Sequence, residues 1–431
     1  MIATVAAVIA TATIGLVVAL WWAGTAGLAG AELVNARFNA LRTGLSIGVG
    51  GGGIFALYLA WRRQHATEIG LVQKERDQAD VARAYELQRE TAEHTRQHAE
   101  RVAATTERDA EARRITDLYA KSIEQLGSDK APVRHGGLYA LERLAQDNPG
   151  LRQTVVNVLC AYLRAPFDLP GDRSDDDTDR VARDEYRERV QEREVRLTAQ
   201  RILTAHLTFD TGADHPATTF WEDIDLDLSA AVLINWQMSS CRVRKATFYH
   251  TAFIGEAQFS ETVFTGDARF TGSTFTGNAT FRGAIFTQNS WLDGATFGEY
   301  AWFVEAVFTE AAWFNDATFI GDAWFDQATF LRDARFTGVT FTGIARFTQA
   351  RFSSTVFFAA TTFMGNTWFN RATFRYFPPG SSPKYQGWPT GWRPSTEHAA
   401  LEGRDGTWHH LLRISSKPHH SDDPAVEPVD D

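Results

Sequence analysis

The chain is short of cysteine, of positive charge and of any catalytic signature, and each shortage removes a class of protein. Its two cysteines, Cys160 and Cys241, lie far apart and make neither a disulfide framework nor a metal knuckle, which suits a reducing compartment. A formal net charge of −10 argues against a general nucleic-acid binder, which carries a basic patch. There is no Ser-His-Asp order with local support, no Gly-rich phosphate loop opening a helix, and no metal-spaced His/Cys cluster. His94 and His98, four apart, lack a third ligand, and Asp175-Asp176-Asp177 lacks the bidentate Glu and spacing of an EF-hand loop. His409-His410 and His419-His420 read as parts of a loose, Pro- and Asp-containing tail. No catalytic, cofactor-binding or metal residue is therefore assigned, no cofactor is expected, and the chain reads as a non-enzyme.

What is present begins with two uncharged runs. Ile2 to Ala31 holds no charge, and its core to Trp22 has the ~20 residues needed to span a bilayer. Glu32, Arg37 and Arg42 interrupt it, and a second run from Thr43 to Trp61 contains Gly48 and Gly50 to Gly53, as closely packed membrane helices do. Arg62 and Arg63 end that run, with Lys74 and Arg76 beyond. Basic residues are denser there than at Arg37 and Arg42, so the connecting loop is expected outside and the bulk of the chain in the cytoplasm. Trp21-Trp22 and Trp61 stand where interfacial anchors would. The competing reading, a cleaved signal peptide ending near 23–31, has no basic n-region and leaves the second span as an anchor. The expected localisation is the plasma membrane, multi-pass.

Residues 64–114 are rich in Ala, Glu, Arg, Gln and Thr, a helix-forming composition, but Ile69, Val72, Val81, Tyr85, Leu87 and Val102 are too sparse for a firm heptad. This predicts a solvated, weakly self-associating stalk with coiled-coil character, about 75 Å long at 1.5 Å per residue. From Ile115 an amphipathic pattern starts: Ile115, Leu118, Tyr119, Ile123 and Leu126, then a helix opened by Pro132 with Leu138, Leu141 and Leu144 inward, then Val155, Val156, Leu159 and Leu163. The stretch "SDKAPVRHGGLYALERLAQDNP" resembles one HEAT-like hairpin. An acidic linker and a helix over about 180–206 follow, the helix expected to cap the first coil of what comes next.

That next stretch, 228–374, carries a large apolar residue on a strict schedule. The step is five from Leu228 through Leu233, Met238, Val243 and Phe248 to Phe253, and then alternates six and five to Phe374. All 22 centres of the second part are Phe except Leu292, and the residue two before is Ala in 15 of them, so two of every five side chains turn inward. Five fits neither a helix nor an alternating strand. It fits a coil that turns a corner each time, with Gly ten times at the second position after the centre, as at Gly255, Gly266 and Gly272.

Stretches such as "ATFTGNATFRGAIF" and "ARFTGVTFTGIARF" resemble the pentapeptide-repeat family. That resemblance implies a right-handed quadrilateral β-helix, here with coils of 22 residues because every second step carries an insertion. Twenty-eight centres at four per coil predict seven coils, roughly 34 Å at the strand spacing. Phe270, Phe281, Phe303, Phe314, Phe325 and Phe336 are expected in its core. "LYALERLAQDNP", "EREVRLTAQRIL" and "FWEDIDLDLSAA" are similar to a group of actinobacterial membrane-anchored pentapeptide-repeat proteins, a likeness that brings no activity with it. The predicted layout is a transmembrane hairpin (1–63, spans about 2–22 and 43–61), a charged stalk (64–114), a small HEAT-like helical module (115–166), a linker (167–181), a helical cap (182–227), the β-helix (228–374), and a capping segment with a loose tail (375–431).

Trp291, Trp302, Trp313 and Trp324 recur every eleven residues just before a centre, and Phe357 and Trp368 resume the phase after Arg335 and Arg346. These side chains are expected outward, Trp302 over Trp324 on one face and Trp291 over Trp313 on the opposite one. Either they only stack on one another, or with Trp368 they form a surface for a partner. The reading is a membrane-tethered scaffold presenting the β-helix to an unknown protein, with homo-oligomerisation open and no nucleic acid. The alternative, taken from the family resemblance, is a DNA mimic acting on a topoisomerase. The repeat holds 11 acidic and 10 basic residues, too near neutral for such mimicry.

Overall fold

The computed structural model describes residues 2–27, 29–171, 180–209, 217–375, 388–389, 391–397 and 407–414. The triple Asp and His419-His420 lie outside them. The chain forms two compact units, one up to Ala110 and one from Glu111.

The first unit is helical. Helix α1 (Ile2–Thr25) and α2 (Ala31–Leu126) are each apolar enough over a window to cross a membrane. Their apposition depends on glycine: a Cβ at Gly44 would lie 2.0 Å from Val17 Cγ2, and one at Gly48 would lie 3.0 Å from Thr13 Cγ2. Helix α2 already begins at Ala31, so Arg37 and Arg42, expected in a loop, stand on α2, with Arg37 stacked 5.4 Å over Trp21. Nor does a helix end between the stalk and the amphipathic pattern at Ile115. No breaker separates them, and α2 runs on to Leu126, where Gly127 ends it.

In the second unit, the last turns of α2 pack with α3 (Ala131–Asp147), α4 (Arg152–Arg164) and α5 (Arg180–Leu207) around Leu126, Leu138, Leu141, Val155, Leu159 and Leu203. This core is continuous with that of a β-solenoid of about seven coils. Register shows the coil growing: Asp225 pairs with Lys245, Arg242 with Val263 and Ala246 with Ala268, steps of 20, 21 and 22. Thereafter 22 holds, as in Ile285 with Val307 and Ala323 with Ala345. Strands on four faces pair in parallel, and the second and third faces share one sheet through the long strand Ala252–Gln258.

Every expected core Phe is fully buried. Rings one coil apart lie parallel, Phe281 on Phe303 at 4.7 Å and 1°, which is the strand spacing itself. Rings from the first and third faces meet edge to face, Phe303 to Phe314 at 5.6 Å and 85°. The small residue two before each centre, Ala in 15 of the 22, leaves room for this interleaving.

The two kinds of corner differ. At each five-residue step from Phe259 onward the second residue after the centre has positive φ, and the chain closes a turn: Ala284 N–H donates to Phe281 C=O at 3.0 Å with Gly283 at φ 64°, as a type II turn requires. Glu305, Gln327, Gln349 and Ala360 hold the same conformation without being glycine. An L-residue there costs about 1 kcal/mol or more. Gln349→Gly is therefore expected to stabilise the solenoid by about 1 kcal/mol, seen as a raised denaturation midpoint. At six-residue steps beyond the first, where Gly255 has φ 74°, the second residue after the centre has ordinary φ and glycine serves close approach: a Cβ on Gly343 would lie 2.6 Å from the Gly321 carbonyl one coil away.

Both ends of the solenoid are covered. At the first coil two glutamines act as surrogate strands. Gln200 of α5 donates to Ile234 C=O and accepts from its N–H at 2.8 and 3.0 Å. Gln153 of α4 does the same for Asp225, 2.9 Å each. The cap is thus α4 with α5, not α5 alone. His206 stacks on Trp221 at 3.9 Å, and Trp221 Nε1 donates to Gln146. At the last coil, Trp388 and Trp392 set their rings against Phe374 and Phe369. Strand Trp408–Arg413 pairs antiparallel with Thr373–Arg375, so the described part of the tail is ordered. His409 and His410 belong to it rather than to a loose tail, since the strand is paired on both sides, with Thr373–Arg375 and with Trp392–Pro394.

Candidate interaction surface

The residue before each six-step centre projects from the first or third face. Topology places Trp291 and Trp313 on one face and Trp302, Trp324 and Trp368 on the opposite one, with the core between. Trp291 and Trp313 stack at 5.0 Å and 9°. Trp302 and Trp324 do not stack: they meet at 6.1 Å and 60°, because Tyr300 lies parallel to Trp302 and Arg346 covers Trp324. The four inner tryptophans are half-buried by these neighbours, and Trp368 alone is 41% exposed.

The arginines read as interruptions in the sequence are rungs of the same ladders. Arg269 sits 4.7 Å over Trp291 and Arg335 5.2 Å over Phe357. Arg346 lies between Trp324 (4.7 Å) and Trp368 (5.6 Å), held by Asp326 at 2.8 Å. Each surface is a ridge in which two successive tryptophans are flanked by guanidinium or further aromatic faces. The signal was in the sequence: Arg269, Trp291, Trp313 and Arg335 are 22 apart, as are Trp302, Trp324, Arg346 and Trp368.

Beside the first ridge, burial pushes the Asp293 carboxyl above its ordinary value of 3.8, against the hydrogen bonds from Asn315. A carboxylate whose folded pKa is raised weakens the fold above that pKa and ceases to do so as pH falls through it. Asp293→Asn keeps an acceptor for Asn315 and removes the charge. Its thermal midpoint is expected to exceed that of the parent at pH 7, the gap closing in acid.

Cys160 and Cys241 are buried, and burial pushes both thiols up to about 12. His94 and His98 are exposed on α2, and no group of three metal-ligating side chains occurs among the described residues.

A parallel β-solenoid with a stacked aromatic core and two outward ladders belongs to the class of quasi-one-dimensional repeat architectures, in which each coil touches only its neighbours. Within it, the repeat domain is a pentapeptide-repeat domain: the family model for pentapeptide repeats (9 copies) matches residues 248–296 and 292–340. No curated protein matches the chain, and no solved structure does.

Proposed function

We propose that the protein is a non-enzymatic scaffold, tethered to the plasma membrane by α1 and the start of α2, that presents its right-handed β-helix to a protein partner on the cytoplasmic face. Apolar composition supports the tether, and the basic cluster Arg62, Arg63, Lys74 and Arg76 supports the orientation. The HEAT-like module joins the tether to the display domain. The observation that carries the reading is the third-face ridge of Trp302, Trp324, Arg346 and Trp368, which ends in an exposed indole. Trp302→Ala with Trp324→Ala should abolish recovery of partners in native-membrane proximity labelling and leave far-UV circular dichroism unchanged. An unchanged partner set would remove the ridge from the function.

A further inference from the structure

Every described residue of α2 from Trp61 to Arg114 is exposed, including Val81, Tyr85 and Val102 at 69%, 69% and 50%. A helix that lacks a partner needs dense i,i+4 ion pairs to persist in water. From 64 to 110, among the described residues, the bridges are His65–Glu68, which is an ion pair only with a protonated imidazole, Asp80–Arg83 and Arg96–Glu100, all highly exposed and so weak. These do not sustain such a length of isolated helix.

The same segment carries a seam that large apolar residues alone do not reveal. Tyr85, Ala92, Ala99 and Thr106 repeat every seven residues, and Val81, Gln88, Thr95 and Val102 repeat every seven between them, giving spacings of four and three throughout. No charged residue falls on this line in 81–106. The acidic residues Glu86, Glu93, Glu100 and Glu107 form a separate seven-residue column. At mid-seam the small side chains leave a shallow depression lined by Gln88, Ala92, Thr95 and Ala99, between the longer Leu87 and Arg96.

We propose that residues 81–106 of α2 form one strand of a parallel, in-register two-stranded coiled coil with a second copy of this chain. In that arrangement each seam residue meets its own counterpart. Ala92 against Ala92 and Ala99 against Ala99 let the backbones approach closely. Gln88 against Gln88 pairs a carboxamide donor with an acceptor, and a slipped register would break that pair. The parallel direction rests on the membrane reading above: two copies in one bilayer send α2 out on the same side. The seam itself does not depend on that reading. The consequence is a scaffold that displays two β-helices.

The test uses the full chain in its native membrane, with Ala92→Cys and Ala99→Cys on the seam and Gln97→Cys on the far side. The natural thiols are buried and stay silent to a short bis-maleimide. Seam variants should give at least tenfold more product at twice the 48.0 kDa chain mass than Gln97→Cys. Adding Ala99→Glu to Ala92→Cys should abolish that product. Equal yields at all three sites, or adducts of another mass, would overturn the proposal in favour of collision or a different partner. Alkaline carbonate extraction of the same membranes separates the two readings. Extracted chain with seam-specific product leaves the dimer standing without the tether, and sedimenting chain without it leaves the tether standing without the dimer.

Discussion

Phe325→Ala should destabilise the solenoid by about 3–5 kcal/mol, the cost of removing a buried ring that its surroundings cannot replace. Phe325 is fully buried, with parallel rings above and below at 4.8 Å (Phe303) and 4.9 Å (Phe347) and edge contacts at 5.6 Å from Phe314 and Phe336. Those neighbours are fixed by strand pairing at 22-residue intervals, so they cannot collapse into the void without breaking register. Leu292 supplies an internal comparison. It occupies an equivalent inward site, also fully buried, and its strand keeps regular pairing with both neighbours. Phe325→Leu is accordingly expected to cost less than half as much as Phe325→Ala. Because each coil touches only its neighbours, the damage should be local. Hydrogen exchange should accelerate around Ala323 and Phe325 and their partners one coil away, leaving the first coil protected. Uniform acceleration over the whole domain, or equal effects of Leu and Ala, would show that the ring stack does not carry the stability.

The difference between what the sequence reveals and what only the structure reveals is one of contact distance along the chain. Inward rings are legible because each face demands one, so the demand repeats and leaves a period. Ridge residues are legible as positions for the same reason. Their half-burial is not, since it depends on which residue stands 22 away: Arg346 over Trp324 and Tyr300 beside Trp302 alter the geometry without altering the period. The caps have no period at all. Gln153 reaches Asp225 across 72 residues and Gln200 reaches Ile234 across 34, each pair occurring once. The strand at Trp408–Arg413 sits in a segment whose prolines and serines suggest a loose chain, and it is the distant edge of Thr373–Arg375, together with Trp392–Pro394, that gives it something to pair with. The seam of α2 escapes a search for large apolar residues because alanine and threonine fill half of it.

Arg196→Ala should cost about 1–3 kcal/mol for each buried carbonyl it leaves without a donor, the desolvation penalty of an unpaired acceptor. Arg196 is 2% exposed. Its Nε donates to Glu192 at 2.8 Å, Nη1 to Leu163 C=O at 3.0 Å and Nη2 to Ala165 C=O at 2.8 Å, with Phe167 4.5 Å from the guanidinium. Leu163 lies in the last turn of α4, whose carbonyls have no partner within the helix, so this one side chain supplies donors that the helix end lacks. Lysine reaches one acceptor rather than three directions at once, and Arg196→Lys should recover only part of the loss. Glu192 is better insured. Tyr162 donates to it at 2.8 Å and Arg134 approaches at 3.2 Å, so removing Arg196 leaves the carboxylate paired and the carbonyls bare. The effect should travel to the solenoid by a specific route. Helix α4 carries Gln153 and α5 carries Gln200, and these two side chains close the edge of the first coil. Loosening the junction between the helices frees both caps together, so amides at Asp225 and Ile234 should lose protection while those around Phe325 keep theirs. Retained protection at both edge sites in Arg196→Ala would mean that each glutamine holds its strand independently of the helix junction, and that the module does not act as a single cap.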